Sequence, residues 1–249
     1  MIKSVVNPNL PDGKVVSVIC GVLCRELNDY LDSRNIERIS IEPNNNIDAS
    51  VRYHADMAAI HLGGDCIIVD RNQISLINTL KQKGYQVSCS ADDIKGKYPK
   101  DIGLNFIIIN NKIIGKTDSA DRKLLESVKH LAKINVRQGY SKCSCLVVND
   151  DAVITDDESI YNALSDIGIE VLRISKGDIY LEGHNYGFIG GASCKISKSE
   201  ILFFGDVTRH RDYKKIAGFL DKHGCDIISL DFPLTDFGGM IPVKEEFNL

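Results

Sequence analysis

Apolar positions along the chain fall into one recurring pattern: an extended run, a second short one, a stretch of helical periodicity, then a further extended run. The pattern is clearest from Cys143 onward. CSCLVV and AVITDD predict a hairpin, SIYNALSDIGI a helix, and EVLRIS the strand leaving it. The next copy reads GFIGGASCKIS, EILFFGDV, the helix YKKIAGFLDKHG and CDIISLD. Gly84, Gly168 and Gly224 follow predicted helices at positions that suit a C-cap.

Earlier copies are looser. One comprises SVRYHADMAAIHLG, CIIVD, the helix ISLINTLKQKG and YQVSCS; another comprises IGLNFIII, KIIGK, a helix over Asp121–Leu131 and INVRQ. The first unit holds only KVVSVICG, the helix VLCRELNDYLDSRNI and RISIEP, and lacks a leading strand. TDFGGMIPV, near the other end, is a candidate for it. Pairing the two predicts an α/β propeller: five ββαβ units about a pseudo-fivefold axis, closed by the C-terminal strand, with residues 1–249 in one domain. An ordinary α/β sheet is the alternative, but simple βαβ units need no hairpin ahead of each helix.

Composition narrows the partners. A length of 249 residues allows one large core or two small ones, and no break in composition marks a linker. With 30 basic and 34 acidic residues, general affinity for nucleic acid is not expected. Arg209–His210–Arg211 reads as a solvated turn, and ADDIKGKYPKD at 91–101 as a surface loop. MIKSVVNPNLPDG lacks the apolar centre of a signal peptide, and no apolar run approaches membrane-spanning length. Eight cysteines scattered through predicted strands and helices complete the expectation of a reduced, cytoplasmic protein. Cys20 and Cys24 have a spacing able to hold metal, but without a second pair or nearby histidine they read as core residues.

Candidate chemistry lies at the strand starts. His54–Ala55–Asp56 opens a predicted strand, where alternation puts His54 and Asp56 on one face; a histidine oriented by a carboxylate suits general acid/base work. Read without its context, the same triplet is a polar strand edge. Cys143, in GYSKCSC, holds the equivalent place in a later unit. The cation of Lys142 is expected to favour its thiolate, with Cys145 on the same face as the alternative nucleophile. A small buried hydrophobe is the other reading of Cys143. If the ring closes, equivalent strand starts gather round one axis, so His54 and Cys143 can meet. Gly190–Gly191 and Gly238–Gly239 stand at comparable places, either leaving room for a substrate or bending the strands.

The five-unit layout, His54–Ala55–Asp56 and Lys142–Cys143 together resemble the penteins, or guanidino-group-modifying enzymes. That superfamily includes arginine deiminase, dimethylarginine dimethylaminohydrolase and amidinotransferases, and also non-catalytic ribosome anti-association factors. The resemblance implies that His54 is the acid/base, Asp56 a carboxylate holding a guanidinium, and Cys143 the nucleophile. Two units follow Cys143, which implies a circularly permuted, bacterial branch. Phe188–Ile189–Gly190–Gly191 resembles the family's FxRD-like stretch with Gly191 in place of the acid. Phe237–Gly238–Gly239–Met240 resembles its EGGD-like stretch, with Asp236 one residue away; Asp236 and Gly191 are candidate substrate-binding positions, although on a strand that slip would turn Asp236 to the opposite face. Arg25, after CGVLC, loosely resembles an arginine that binds a substrate carboxylate, or is an ordinary exposed helix residue.

The expected function is that of a cysteine hydrolase or transferase cutting a carbon–nitrogen bond of a small amidino- or guanidino-like molecule. It would proceed through a thioester- or thiouronium-type intermediate and need neither metal nor organic cofactor. Missing acids weigh against arginine itself, because a desolvated planar cation needs facing carboxylates. The alternative is a non-catalytic binding or scaffold protein on the same ring.

Overall fold

A computed structural model describes residues 1–247 of the chain. After β1 (Ile2–Ser4), the first unit has β2 (Lys14–Cys20), α1 (Arg25–Ser33) and β3 (Glu37–Ser40). The second has α2 (Ala55–Ala58), β4 (Ala59–Gly63), β5 (Cys66–Val69), α3 (Ile74–Gln82) and β6 (Gln86–Cys89). The third has β7 (Ile107–Ile109), β8 (Lys112–Gly115), α4 (Arg122–Ser127) and β9 (Ala132–Asn135). In the fourth are β10 (Cys145–Asn149), β11 (Ala152–Thr155), α5 (Glu158–Ser165) and β12 (Glu170–Arg173). The fifth has β13 (Ser193–Lys195), β14 (Glu200–Phe203), α6 (Tyr213–Lys222) and β15 (Asp226–Ile228), and β16 (Met240–Glu246) follows.

Each unit makes its own small sheet. A leading strand pairs antiparallel with a central one, which pairs parallel with the strand after the helix, as in β10–β11–β12. In the first sheet, of order β1-β16-β2-β3, the leading strand is β16 from the far end of the chain. That is the closure the sequence predicts. β1, pairing outside β16, is an addition the pattern does not reveal.

Packing shows how the sheets are arranged. Five apolar clusters fill the spaces between first and second, second and third, third and fourth, fourth and fifth, and fifth and first sheets. Every sheet therefore meets two neighbours, and the series returns to its start. This is a ring. Each central strand is buried on both faces: Ile67 and Val69 of β5 face one cluster and Ile68 the next, and Val153 and Ile154 of β11 divide likewise. Two-sided burial explains why these strands read as unbroken apolar runs rather than alternating ones.

Each helix covers the joint between its own sheet and the preceding one. Leu27 and Leu31 of α1 pack with Leu202 and Phe204 of the fifth unit, so the first helix seals the last joint. Asp121 and Asp157 cap α4 and α5 by accepting backbone N–H bonds from their first turns. The expected C-cap glycines Gly84, Gly168 and Gly224 take φ of 91°, 82° and 66°.

One expectation fails in a way that matters. His54 and Asp56 do not open a strand: residues 55–58 coil into the single helical turn α2, with His54 at its N-cap and β4 beginning only at Ala59. Ala55 and Ala58 are small and apolar, and the turn tucks them into the joint between first and second sheets. Likewise Cys143 lies in a turn ahead of β10. Cys20 ends β2, whereas Cys24 stands just ahead of α1 at the N-cap position; all eight cysteines are free. No helix among the described residues is long and apolar enough to cross a membrane.

If the joints hold the ring, an interior deletion must be costly and an exterior one harmless. Ile154→Ala, at a fully buried position, is expected to lower unfolding free energy by about 3 kcal/mol in urea titration. Ile74→Ala, at a side chain 59% exposed, is expected to change it by less than about 0.5 kcal/mol.

Candidate active site

The segments that lead into the inner strands converge at the middle of the ring. The second unit contributes His54 and Asp56, the third Asn105, the fourth Lys142 and Cys143, and the fifth Gly190 and Gly191. The loop before β16 contributes Asp236, Gly238 and Gly239. Direct contacts join these groups across the chain. The Cys143 thiol donates to Asp56 Oδ2 at 2.8 Å. Asn105, fully buried, accepts from the backbone N–H of Lys142 at 2.8 Å, and its Nδ2 reaches Cys143 Sγ at 3.2 Å and the Asp56 carbonyl at 3.3 Å. One side chain thus ties the cysteine turn to the histidine turn.

Asp236 completes the group from the opposite side. Its carboxylate accepts from the backbone N–H of Phe188 at 2.8 Å and of Gly238 at 2.9 Å. These bonds aim it at the centre. The expectation that it turns away rests on a strand, and Asp236 lies in a loop, held by its N–H bond to the Tyr180 carbonyl at 2.8 Å. His54 Nδ1 stands 3.9 Å from Asp236 Oδ1, beyond hydrogen-bonding range, and has no other protein partner. Asp56 Oδ1 is also buried without a partner. Two unmatched polar atoms at one place leave bonds for a ligand to make.

The glycines do not open the space for a substrate, contrary to one reading of the sequence. A Cβ on Gly191 would collide with the Asp236 carboxylate, on Gly190 with the backbone of Lys142 and Cys145, and on Gly238 with His54. Their role is to let the reactive side chains and their turns approach. Gly191 also fixes the cysteine turn, its N–H donating to the Cys143 carbonyl at 2.9 Å. It supports the site and binds nothing with a side chain of its own.

Position also decides three further expectations. Arg25 is the exposed helix residue of its two readings and no substrate-binding arginine: it projects from α1 into solvent, its side chain 89% exposed beside Asp29. Cys145 opens β10 and packs into the joint between third and fourth sheets, where burial pushes its thiol up to about 12. Lys142 turns from Cys143 and lines a separate small cavity with Asp56 and His61. The Cys143 thiol is consequently not lowered. Burial first, then the negative charges of Asp56 and Asp236, hold it well above the ordinary cysteine value. Burial likewise raises Asp56 to about 6, against the opposing pull of His54 and Lys142.

A cavity of about 730 Å³ opens onto this centre, with His54, Cys143 and Asp236 in its wall. The loop at 91–101 reaches its mouth through Tyr98 and Asp101, which its polar composition gives no reason to expect. Donor atoms of His54, Asp56 and Cys143 lie within 4.8 Å of one another. Nitrogen, oxygen and sulfur at that spacing suit one reactive carbon between them, and are also a donor set able to hold a metal such as zinc.

Comparison with solved structures places the fold. The chain is similar to SxtG, an amidinotransferase from Microseira wollei in the saxitoxin biosynthetic pathway (TM-score 0.62, 12% identity, 98% of each chain covered). It is also similar to inosamine-phosphate amidinotransferase StrB1 from Streptomyces griseus (0.59, 13%, 99% of this chain and 98% of that one). A substrate-bound agmatine deiminase from C. jejuni matches with TM-score 0.57 and 12% identity over 99% of this chain and 97% of that one. At these identities the likeness establishes the pentein fold. No curated protein matches the chain. A family model matches residues 19–241, and the chain accordingly belongs to the family described as "Family of unknown function (DUF6873)", of which it is a member with a pentein fold.

Proposed function

We propose that the protein is a cysteine-dependent enzyme that cleaves a carbon–nitrogen bond at the central carbon of an amidino or guanidino compound. The observation that carries this reading is the meeting of Cys143, His54 and Asp56 within 4.8 Å, with His54 and Cys143 in the wall of a cavity of about 730 Å³ and the Asp236 carboxylate beside His54. Two carboxylates around a nucleophile and a base are what a planar cation requires, since its N–H groups lose water on entering and need charged acceptors.

Chemistry follows from the resting charges. Before substrate binds, Cys143 is a thiol whose proton points at Asp56, held there by burial and two nearby negative charges. An amidinium placed between Asp56 and Asp236 offsets those charges, so the thiol ionises only beside its target. The sulfur attacks the amidino carbon, forming a carbon–sulfur bond and a tetrahedral adduct. Collapse of the adduct breaks a carbon–nitrogen bond, and the proton given up by the thiol leaves on the departing amine, delivered by His54. Water or an acceptor amine then adds to the thiouronium-type carbon, losing its proton to His54. Carbon–sulfur cleavage restores the thiol with that proton. Asn105 touches the sulfur and both turns, so it positions the nucleophile rather than moving a proton.

Two tests address this reading. Chloroacetamidine, a cation, is expected to alkylate Cys143 at least tenfold faster than chloroacetamide, its neutral counterpart, with the mass gain on the peptide containing Cys143 and absent in Cys143→Ser. Equal rates, or modification confined to other cysteines of the folded protein, would sink the proposal. The pH profile supplies the second. Because burial raises Asp56 to about 6, its carboxylate is charged above that pH and neutral below it. The rate with chloroacetamidine should therefore fall as pH drops through about 6, and Asp56→Asn should remove that limb of the profile and slow the reaction at pH 8 by at least tenfold.

A further inference from the structure

Beyond the reacting centre, the cavity has a character that the chemistry at Cys143 does not use. Its charged lining is Asp48, Asp101 and Asp236 against Lys97, and no arginine lines it among the described residues. Asp48 is engaged at the surface with Ser50 and His184. Asp101 differs: it is 1% exposed, its Oδ2 accepts from the Tyr140 hydroxyl at 2.8 Å, and its Oδ1 has no partner. A buried carboxylate oxygen without a donor is costly unless something supplies one.

Aromatic rings stand around this oxygen's neighbour. Tyr140 lies 5.6 Å from Tyr98 and 6.5 Å from Phe188, and both of those rings also line the cavity. They come from three separate segments, so the wall is assembled by the fold. Tyr186 extends it but already carries Lys176 over its ring at 5.6 Å, whereas Tyr98, Tyr140 and Phe188 carry no side-chain cation among the described residues. Aromatic faces beside an unpaired carboxylate attract a cation and repel an anion. Tyr140, Asp101 and Cys143 line the same cavity, so this second pole shares a space with the first.

We infer that the substrate carries an amine, separated from its amidino carbon by a short apolar spacer, and no carboxylate, with the ammonium received by Asp101 against the Tyr98–Tyr140–Phe188 wall. The inference rests on the reading of Cys143 given above. Asp101 accounts for the ammonium, the rings for the spacer and part of the charge, and the excess of three lining carboxylates over the single, exposed Lys97 for the discrimination against an acid.

Three compounds with one head group separate the possibilities: 4-aminobutylguanidine, butylguanidine and 4-guanidinobutanoate. Their protection of wild-type Cys143 from chloroacetamidine gives apparent dissociation constants. The amine is expected to bind at least tenfold more tightly than butylguanidine, and the acid at least tenfold more weakly. In Asp101→Asn, whose amide oxygen can still accept from Tyr140, the ratio between amine and butylguanidine should fall towards one. Equal protection by amine and butylguanidine, or tighter binding of the acid, overturns the inference while leaving the chemistry at Cys143 standing. Retention of the full ratio in a folded Asp101→Asn protein overturns the assignment to Asp101. If chloroacetamidine shows no preference for Cys143 and none of the three compounds protects it, the underlying reading fails and this one with it.

Discussion

Burial of both faces of the five central strands is the constraint on which the rest of the molecule depends. A three-stranded sheet with two apolar faces cannot stand alone in water, because one face always remains uncovered. The fold answers by giving each sheet a neighbour on either side, and a row of such sheets leaves no uncovered end only when it closes. Closure needs a fifth joint as good as the other four. Here it is made by α1 and β2 against β13 and β14, with β16 brought from the far end of the chain to lead the first sheet.

The centre follows from that closure. A ring brings the inner strand starts together whatever they carry, so residues distant in sequence meet there without any local signal between them. Asp56 and Cys143 are 87 positions apart and hydrogen-bonded. Reactive groups gathered this way pay a penalty, since desolvation raises both the Asp56 carboxyl and the Cys143 thiol. The surrounding backbone offsets part of it: N–H groups of Phe188 and Gly238 hold Asp236.

How much of this is legible in the sequence depends on whether a feature repeats. The joints are legible because two-sided burial writes the same apolar run into every unit, in CIIVD, KIIGK, AVITDD and EILFFGDV alike. Positions on the axis do not repeat, since each unit contributes a different residue. Comparing strand starts finds His54 and Cys143, and the same comparison applied to IGLNFIII would have found Asn105. Asp236 is named as a candidate, but its facing is misjudged for a different reason: it is argued from strand alternation, and a loop pinned by backbone bonds has no alternation to follow. Of the two readings of Arg25, the exposed helix residue holds and the carboxylate-binding one does not, because a helix near the right place in sequence says nothing of which way its side chain points. Lys142 shows the same limit at close range. It is adjacent to Cys143 in the chain, yet it lines a separate cavity and its charge acts on Asp56, and the thiol is governed by residues from other units.

The glycines make the crowding at the centre possible. At Gly190, Gly191 and Gly238 a methyl group would strike the cysteine turn, Asp236 and His54 respectively, so the same space that lacks side chains on two units is filled by reactive groups from the others. Their absence of side chains and the presence of the site are one geometric fact seen from two directions. Acids missing from the FxRD-like and EGGD-like stretches therefore do not leave the centre without carboxylates. Asp236 enters through the gap left by Gly191, next to the His54 that Gly238 admits, and supplies negative charge from a position that motif matching passes over. In a ring whose units all point inward, the chemistry of the centre is set by the sum of what five segments project there, and a residue lost from one segment can be replaced by a neighbour reaching into the same volume.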